Sequence, residues 1–432
     1  MTGPDAMTAT ITPDPAGAPA TTPSSASDEA PLLSVQDLVV RFRTHEGTIH
    51  AVNGVTFELR SGETLGLVGE SGCGKSVTNL AIIRLLPKPA GRIEGGKVLF
   101  DGLDLATMPE NDLRDLRGKE IAMIFQDPMT SLNPVLTIEE QMVETIKAHR
   151  KIGDKEARQR AIELLSMVGI PEPEKRLKSH PHQFSGGMRQ RVMIAIALAL
   201  EPKLMIADEP TTALDVTIQA QVLELLQRLT THSGTALVLI THDLGVVAGI
   251  TQRINVMYAG FIVETAVTSD LFARPSHPYT VGLLHSIPRL SEERRESLIP
   301  IEGVPPDQRH APVGCPFAPR CAWRLDVCWT SNPGLEPVEP TARIVTTGSQ
   351  ATHRIACHNP PTADEALAGR PLREGFIASP PPGVETEEGT PFYDAIGVAG
   401  DEVAIFESDL GPTSAAPSAA GLPLPPEEDE RR

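Results

Sequence analysis

Residues 69–76 read GESGCGKS, a run that satisfies G-x-x-x-x-G-K-S/T at every fixed position. It follows TLGLVG (64–69), a short apolar stretch of strand character, and precedes SVTNLAIIRLL (76–86), whose apolar residues recur at helical spacing. Strand, glycine-rich turn and helix in that order are the context of a phosphate-binding loop, because backbone N–H groups then turn onto phosphate oxygens at a helix N-terminus. Gly69, Gly72 and Gly74 supply the turn, Lys75 reaches the outer phosphates, and Ser76 offers a hydroxyl to Mg2+. With Glu70, Ser71, Cys73 and Val77 they make up the expected nucleotide-binding stretch. By itself the stretch specifies nucleotide binding and leaves the reaction open.

The surrounding pattern fixes the fold class. LLSVQDLVVRF (32–42) and HAVNGVTFEL (50–59) alternate apolar and polar residues and predict two antiparallel strands. EIAMIFQ (120–126), KLMIADE (203–209) and ALVLIT (236–241) predict further strands, the last two separated by a helix over TIQAQVLELLQRLTTH (217–232), while residues 135–200 are mostly helical in pattern. Strands alternating with helices imply a mainly parallel α/β sheet. From about residue 275 the chain turns into proline-rich irregular segments, expected to form a second, weaker unit up to about residue 360. No internal repeat is visible, so the chain carries one nucleotide site's worth of sequence.

The charge distribution excludes some functions. Of the formal net charge of −18, most lies in residues 361–432, which hold 15 Asp and Glu against 4 Lys and Arg. That Pro-rich stretch reads as a solvated, disordered acidic tail. The remainder is only mildly acidic, and no basic face speaks for nucleic acid as a partner. Residues 1–31 contain no Lys or Arg and no apolar core, so they read as a disordered arm lacking the parts of a signal peptide. The longest apolar run, VMIAIALAL (192–200), is far short of the roughly 20 residues that span a bilayer. A cytosolic protein that meets the membrane only through partners is the expectation.

Two further motifs decide the chemistry. LMIADE (204–209) is a buried strand ending in two carboxylates, with Asp208 suited to hold Mg2+ and Glu209 to polarise an attacking water. Taken alone, the pair also suits a helix cap. FSGGMRQR (184–191) lies between the two motifs and places Ser185, Gly186 and Gly187 at a helix start, a second anion site at a helix N-terminus. Since the first site is already complete, the second makes sense as a γ-phosphate binder for another subunit's nucleotide. At these residues the chain resembles the ABC ATPases, whose signature usually reads LSGGQ; Phe184 and Met188 are mild departures. The resemblance implies that Gln126 senses Mg2+ and the membrane partner, that Asp215 of TALD (212–215) lies at a dimer seam, that His242 contacts the γ-phosphate, and that Phe42 stacks on adenine. It also implies the fold: a RecA-like parallel-sheet core with an antiparallel β subdomain and an α-helical signature subdomain at about 127–200, all within residues 32–274.

FQDPMTSLNPVLTI (125–138), HPYT (277–280) and a cysteine-containing segment resemble more narrowly the ATPase subunits of oligopeptide and dipeptide ABC importers. Residues 275–360 then correspond to that group's C-terminal extension, and MTSLNP faces the coupling helices of the permease. Cys315, Cys321, Cys328 and Cys357 are spaced C-x5-C-x6-C-x28-C. Thiolates suit Zn2+ or an iron–sulfur cluster, but this spacing matches neither the usual zinc hairpin nor the plant-type ferredoxin pattern, and buried free thiols remain the plain alternative. The resemblance favours a [4Fe–4S] site, with His353 and His358 keeping a mixed zinc site open. Cys73, beside Lys75 at a helix N-terminus, is expected to have a lowered thiol pKa and to react with alkylating agents unless ATP protects it.

The expected activity is ATP hydrolysis at a composite interface of two ATPase subunits, the second a related but different chain. It drives alternating access in two transmembrane permease subunits, to which an extracytoplasmic binding protein delivers peptide. The site of action is the cytoplasmic face of the plasma membrane. Nickel or another non-peptide cargo, a soluble ABC ATPase without transport function, and a P-loop kinase are the rivals.

Overall fold

The computed structural model describes residues 30–212, 214–286, 301–338, 353–373 and 376–383. The expected N-terminal arm, apart from residues 30 and 31, and the acidic tail beyond residue 383 lie outside the described residues. The strands, in chain order, are β1 (Leu33–Thr44), β2 (Gly47–Leu59), β3 (Thr64–Val68), β4 (Gly91–Phe100), β5 (Leu103–Asp104), β6 (Ile121–Ile124), β7 (Leu204–Asp208), β8 (Ala236–Thr241), β9 (Arg253–Tyr258), β10 (Phe261–Val267), β11 (Glu336–Pro337) and β12 (Arg354–Ile355). They form a four-stranded sheet ordered β2-β1-β4-β5 and an eight-stranded sheet ordered β11-β12-β10-β9-β3-β8-β7-β6.

The first sheet is antiparallel, with β1 paired to both β2 and β4. Leu33, Val35, Leu38, Val40, Val52, Val55 and Leu59 turn inward to one core shared with Leu65, Leu67, Ile206, Val238 and Ile240 of the second sheet. In the second sheet β9, β3, β8, β7 and β6 run parallel. β3, β7 and β8 are buried at every position, which is why TLGLV, LMIAD and ALVLIT read as unbroken apolar runs rather than alternating ones. Registers Val68↔Thr241, Asp208↔Ile240 and Ile124↔Ala207 align the C-terminal ends of β3, β8, β7 and β6 along one edge. Ligands of parallel α/β sheets bind at that edge.

Residues 135–200 are helical as expected, in helices Ile138–His149, Asp154–Met167 and Gly186–Ala197. Thr137 opens the first with a full capping box, its side chain accepting from the Glu140 N–H while the Glu140 carboxylate accepts from Thr137 N–H. A short helical turn, Pro128–Ser131, runs into MTSLNP (129–134) before that cap.

The segment expected as a second, weaker unit shares the main sheet. β9 and β10 form a hairpin whose two turn residues, Ala259 and Gly260, both have positive φ (46° and 84°), the geometry of the tight turn that matches strand twist. β10 then pairs with β12 through Glu264↔Ile355 and Thr265↔Arg354, and β12 with β11. Beneath it Tyr258, Tyr279 and Phe317 stack with ring centroids 4.7, 5.2 and 5.4 Å apart. The chain divides into units Met1–Glu374 and Gly375–Arg432, and the described part of the second, residues 376–383, holds no helix or strand.

Candidate nucleotide site

The loop between β3 and helix Lys75–Ile82 has the shape its glycines allow. Gly69 has φ +152°, and a Cβ there would lie 2.2 Å from the Met257 carbonyl oxygen; at Gly74, φ +104°, it would lie 2.5 Å from the Ala51 carbonyl oxygen. Backbone cannot yield to such contacts, so both positions require glycine. Lys75 is buried and donates through Nζ to the carbonyls of Gly69 at 2.7 Å and Glu70 at 2.8 Å. Those carbonyls occupy the ammonium donors that phosphate oxygens would take.

Ser76 Oγ donates to Asp208 Oδ1 at 3.0 Å across 132 residues of sequence. Burial raises the Asp208 carboxyl above its ordinary range, with the Ser76 hydrogen bond opposing and Glu209 adding to the rise. A buried carboxylate paired only with a hydroxyl, beside a loop built for phosphate, has the donor chemistry of a Mg2+ site, hard oxygens needing a cation to offset them. These residues fit the metal that ATP brings.

Glu209 is the hub of the edge. Its Oε2 accepts from Gln126 Nε2 at 2.9 Å and from Thr212 Oγ at 2.9 Å, and its Oε1 lies 3.3 Å from His242 Nδ1. Its backbone sits at φ 44°, a left-handed conformation that costs a non-glycine residue on the order of 1–3 kcal/mol and turns the carboxylate off the strand axis. The structure therefore brings Gln126, from the end of β6, and His242, from the end of β8, onto one carboxylate at the end of β7. Thr212 opens the TALD stretch noted in the sequence, where only Asp215 was given a role.

Ser185 is the N-cap of helix Gly186–Ala197, its hydroxyl accepting from the Met188 N–H at 3.3 Å. A Cβ on Gly187 would lie 2.5 Å from Ile218 Cγ2, so this helix start packs directly on helix Val216–Ser233. Asp215 caps that second helix, accepting from the Ile218 N–H at 3.0 Å. Phe42 is half-buried on β1, packed against the core and against Gly91 of β4, where an added Cβ would meet its ring at 2.7 Å.

Cys73 departs from expectation. Its thiol is buried, with 5% of the residue exposed, and burial raises its pKa; Lys75 opposes the rise without reversing it. The sequence placed Cys73 beside a cation at a helix start, but the fold turns it inward, where desolvation dominates.

The four C-terminal cysteines are free thiols in one neighbourhood. Cys315 N–H donates to the Cys328 carbonyl at 2.8 Å. Burial pushes the Cys315 thiol up to about 11 and that of Cys357 up to about 12, and raises Cys321 well above its ordinary value, with neighbouring thiols adding to each shift. Even so, among the described residues no group of three or more His, Cys, Asp or Glu is disposed to hold a metal ion. The arrangement thus gives the [4Fe–4S] or zinc expectation no ligand set. The flanking histidines are engaged elsewhere through one ring nitrogen each: His353 Nε2 lies 2.8 Å from Glu264 Oε1 and His358 Nε2 3.1 Å from the Ser331 carbonyl.

HPYT gains a physical reason. Glu264 of β10 is fully buried, and its carboxylate accepts from Ser276 N–H at 2.8 Å, His277 N–H at 2.9 Å and the His353 ring. His277 Nδ1 in turn accepts from Tyr279 N–H at 3.1 Å, capping helix Pro278–His285. Tyr279 Oη accepts from the backbone N–H of Glu70 at 2.8 Å, linking this network to the phosphate loop.

Comparison with known proteins agrees with this geometry. Residues 52–212 match the ABC transporter family and residues 263–328 the oligopeptide/dipeptide transporter C-terminal region. The dipeptide transport ATP-binding protein DppD of Bacillus subtilis is 53% identical over 303 residues, 70% of this chain and 90% of that one. The oligopeptide transport ATP-binding protein OppD of Escherichia coli is 50% identical over 321 residues, 74% of this chain and 94% of that one. Among solved structures, the dimeric post-hydrolysis state of an ATP-binding cassette bound to ADP and Pi superposes with TM-score 0.50 at 28% identity, covering 55% of this chain and 98% of that one. Among the described residues no helix is long and apolar enough to cross a membrane. Loop, paired carboxylates, signature helix and C-terminal segment thus occur together, in order and over most of the length of these relatives, and the chain belongs to the ATP-hydrolysing subunits of ABC transporters, in the branch that carries the oligopeptide/dipeptide transporter C-terminal region.

Proposed function

We propose that this chain is one of two ATPase subunits that power peptide uptake through a pair of permease subunits at the cytoplasmic face of the membrane. Lys75 exchanges the carbonyls of Gly69 and Glu70 for phosphate oxygens, and Ser76 and Asp208 hold the nucleotide's Mg2+, which when bound neutralises charge on the outer phosphates. Glu209 orients the attacking water and accepts its proton, while Gln126 and His242 fix the carboxylate. Ser185, Gly186 and Gly187 close over the γ-phosphate held by the second ATPase subunit, which family practice makes a related but different chain. Asp215 lies near that seam and Phe42 serves the adenine. Binding of two nucleotides draws the subunits together, and hydrolysis releases them.

The observation that carries this reading is the convergence of Gln126, Thr212 and His242 on Glu209, next to the Ser76–Asp208 pair. Its test is Glu209→Gln, expected to lower ATP turnover about 10²–10⁴-fold, the range for a lost general base, while nucleotide binding persists. Equal loss of binding and turnover would remove Glu209 from the chemistry. Support for the permease contact comes from a cleft of about 180 Å3 lined by Met123, Phe125, Leu132 and Met193, with Phe125 exposed at its mouth.

Peptide as cargo, delivered by an extracytoplasmic binding protein, rests on what the relatives are named for. Uptake of labelled dipeptides and longer peptides by cells lacking this chain tests it, with nickel uptake as the control that would redirect the assignment. A metal on Cys315, Cys321, Cys328 and Cys357 is the finer part of the cofactor reading. The electrostatic proximity of the four thiols supports it and the lack of a grouped ligand set among the described residues opposes it, so no step of hydrolysis is routed through it. Iron, acid-labile sulfide and zinc, measured on anaerobically purified protein and on Cys321→Ser, decide between cluster, zinc and plain thiols.

A further inference from the structure

Glu70, the second residue of GESGCGKS, occupies a position the phosphate-loop pattern leaves free, yet this structure holds it at three points besides the loop's own Cys73 N–H bond to its carbonyl at 3.3 Å. Its N–H donates to Tyr279 Oη at 2.8 Å, its carbonyl accepts from Lys75 Nζ at 2.8 Å, and its carboxylate is forked by Arg320, with Nη1 to Oε2 at 2.7 Å and Nη2 to Oε1 at 3.0 Å. Arg320 is itself immobilised. Its Nε donates to the Glu302 carbonyl at 3.0 Å and its Nη2 to the Ile301 carbonyl at 3.1 Å, and the guanidinium lies over the rings of Tyr258 and Phe317 at 5.8 and 6.0 Å. The Arg320 side chain is only 5% exposed and that of Glu70 27%. Two residues further along the loop, the Gly72 carbonyl accepts from Gln308 Nε2 at 2.7 Å, while the Gln308 carbonyl accepts from His50 N–H at 2.8 Å. Arg320, Tyr279 and Gln308 all lie beyond the ATPase core, and all of them grip the loop from outside.

We propose that Arg320 of the C-terminal extension is a positioning residue for the phosphate-binding loop, neutralising Glu70 and holding its backbone so that the loop accepts the triphosphate. The proposal rests on ATP binding at GESGCGKS. Two effects operate together. Without Arg320, the Glu70 carboxylate stands partly buried and unneutralised next to the place where a polyanion must sit, and like charges at short range in a medium of low polarity repel strongly. Without the fork, Glu70 is held only through its backbone, by Tyr279, by Lys75 and by the Cys73 N–H at 3.3 Å within the loop itself, and Lys75 must let go of it when it takes phosphate. The planar guanidinium supplies geometry as well as charge, two parallel hydrogen bonds that an ammonium cannot reproduce. Arg320 touches no reacting atom, so its influence falls on nucleotide affinity rather than on the step at Glu209.

The test compares the full chain with Arg320→Met, Arg320→Lys and the double variant Arg320→Met with Glu70→Gln, reading the dissociation constant of a fluorescent ATP analogue and the KM and kcat of hydrolysis. Arg320→Met is expected to weaken nucleotide binding about tenfold, a factor equal to about 1.4 kcal/mol, with kcat changed less than KM. Arg320→Lys, which keeps charge and loses the fork, should fall between. Removing the unneutralised carboxylate in the double variant should recover most of the lost affinity. That rescue separates positioning from mere structural damage, since a collapsed extension would not be repaired by a change at Glu70. Wild-type affinity in Arg320→Met, or a double variant as weak as the single one, overturns the proposal. Failure of the wild-type chain to bind the analogue would instead overturn the assignment of the nucleotide site. Should Arg320→Met fail to fold, Arg320→Lys carries the same comparison, and its unchanged affinity with or without Glu70→Gln would count as refutation.

Discussion

Glu264→Ala should be among the most destabilising single substitutions in the chain. The Glu264 carboxylate is wholly buried and accepts three hydrogen bonds, from the backbone of Ser276 and His277 and from the His353 ring. Hydrogen bonds to a charged acceptor contribute about 1.5–3 kcal/mol each, and donors left unsatisfied in the interior cost about 1–3 kcal/mol apiece. Against this, removing a buried carboxylate relieves its desolvation, so the net loss should fall near the about 3–5 kcal/mol seen when one partner of a buried polar pair is deleted. The damage has a definite location, because the three donors belong to the approach to helix Pro278–His285 and to the segment leading into β12, which β10 holds together. Urea unfolding followed by tryptophan fluorescence reads this region directly, since both tryptophans, Trp323 and Trp329, belong to the extension. Glu264→Gln, with only one acceptor oxygen for three donors, should lose less than Ala but not be neutral. An unfolding free energy for Glu264→Ala within about 0.5 kcal/mol of wild type, the usual scale of a surface change, would refute the reasoning.

The remaining predictions concern titration, reactivity and the loop. His277 is fully neutral in the fold because burial lowers its pKa from 6.5 to about 4 and its Nδ1 already accepts from Tyr279 N–H. Between those values the unfolded chain binds the extra proton, so the stabilising contribution is complete above about pH 6.5 and is lost as pH falls toward 4; His277→Gln should flatten this part of the stability profile, and an unchanged profile would exclude His277 as its source. Cys73 should react with an alkylating agent at least about tenfold more slowly in the native chain than in urea, because its thiol is buried and its pKa raised; rapid native labelling would restore the expectation of a reactive thiol with lowered pKa. Gly69→Ala would place a methyl 2.2 Å from the Met257 carbonyl, and is expected to abolish ATP binding, measured with the fluorescent analogue; retained affinity would mean that the loop is free to move. Asp215→Ala should cost about 1 kcal/mol as a lost helix cap, whatever Asp215 does at a subunit seam, and a thermal melt checks it.

The α/β core and the candidate residues of the nucleotide site could be read from the sequence by itself, because both are written in short-range patterns. Parallel strands buried on both faces must be unbroken apolar runs, and a phosphate loop needs glycine and lysine at fixed offsets, so TLGLV, LMIAD, ALVLIT and GESGCGKS are legible without a partner in view. Asp208, Glu209 and His242 could be singled out for the same reason, each standing at the end of such a run. Other features depended on groups far apart in the chain. β4 and the β9–β10 hairpin escaped the first reading, and so did the two short strands that extend the sheet, since β12 is defined by its pairing with Glu264 and Thr265 rather than by its own two residues. The direction of the Cys73 pKa shift was misjudged because sequence shows the neighbouring lysine but not the burial, and burial is the larger effect. HPYT and Arg320 were visible as letters, yet their purpose was not. Only the fold carries Tyr279 across 209 residues and Arg320 across 250 to the same Glu70, because charge pairing and hydrogen-bond geometry are properties of space rather than of sequence.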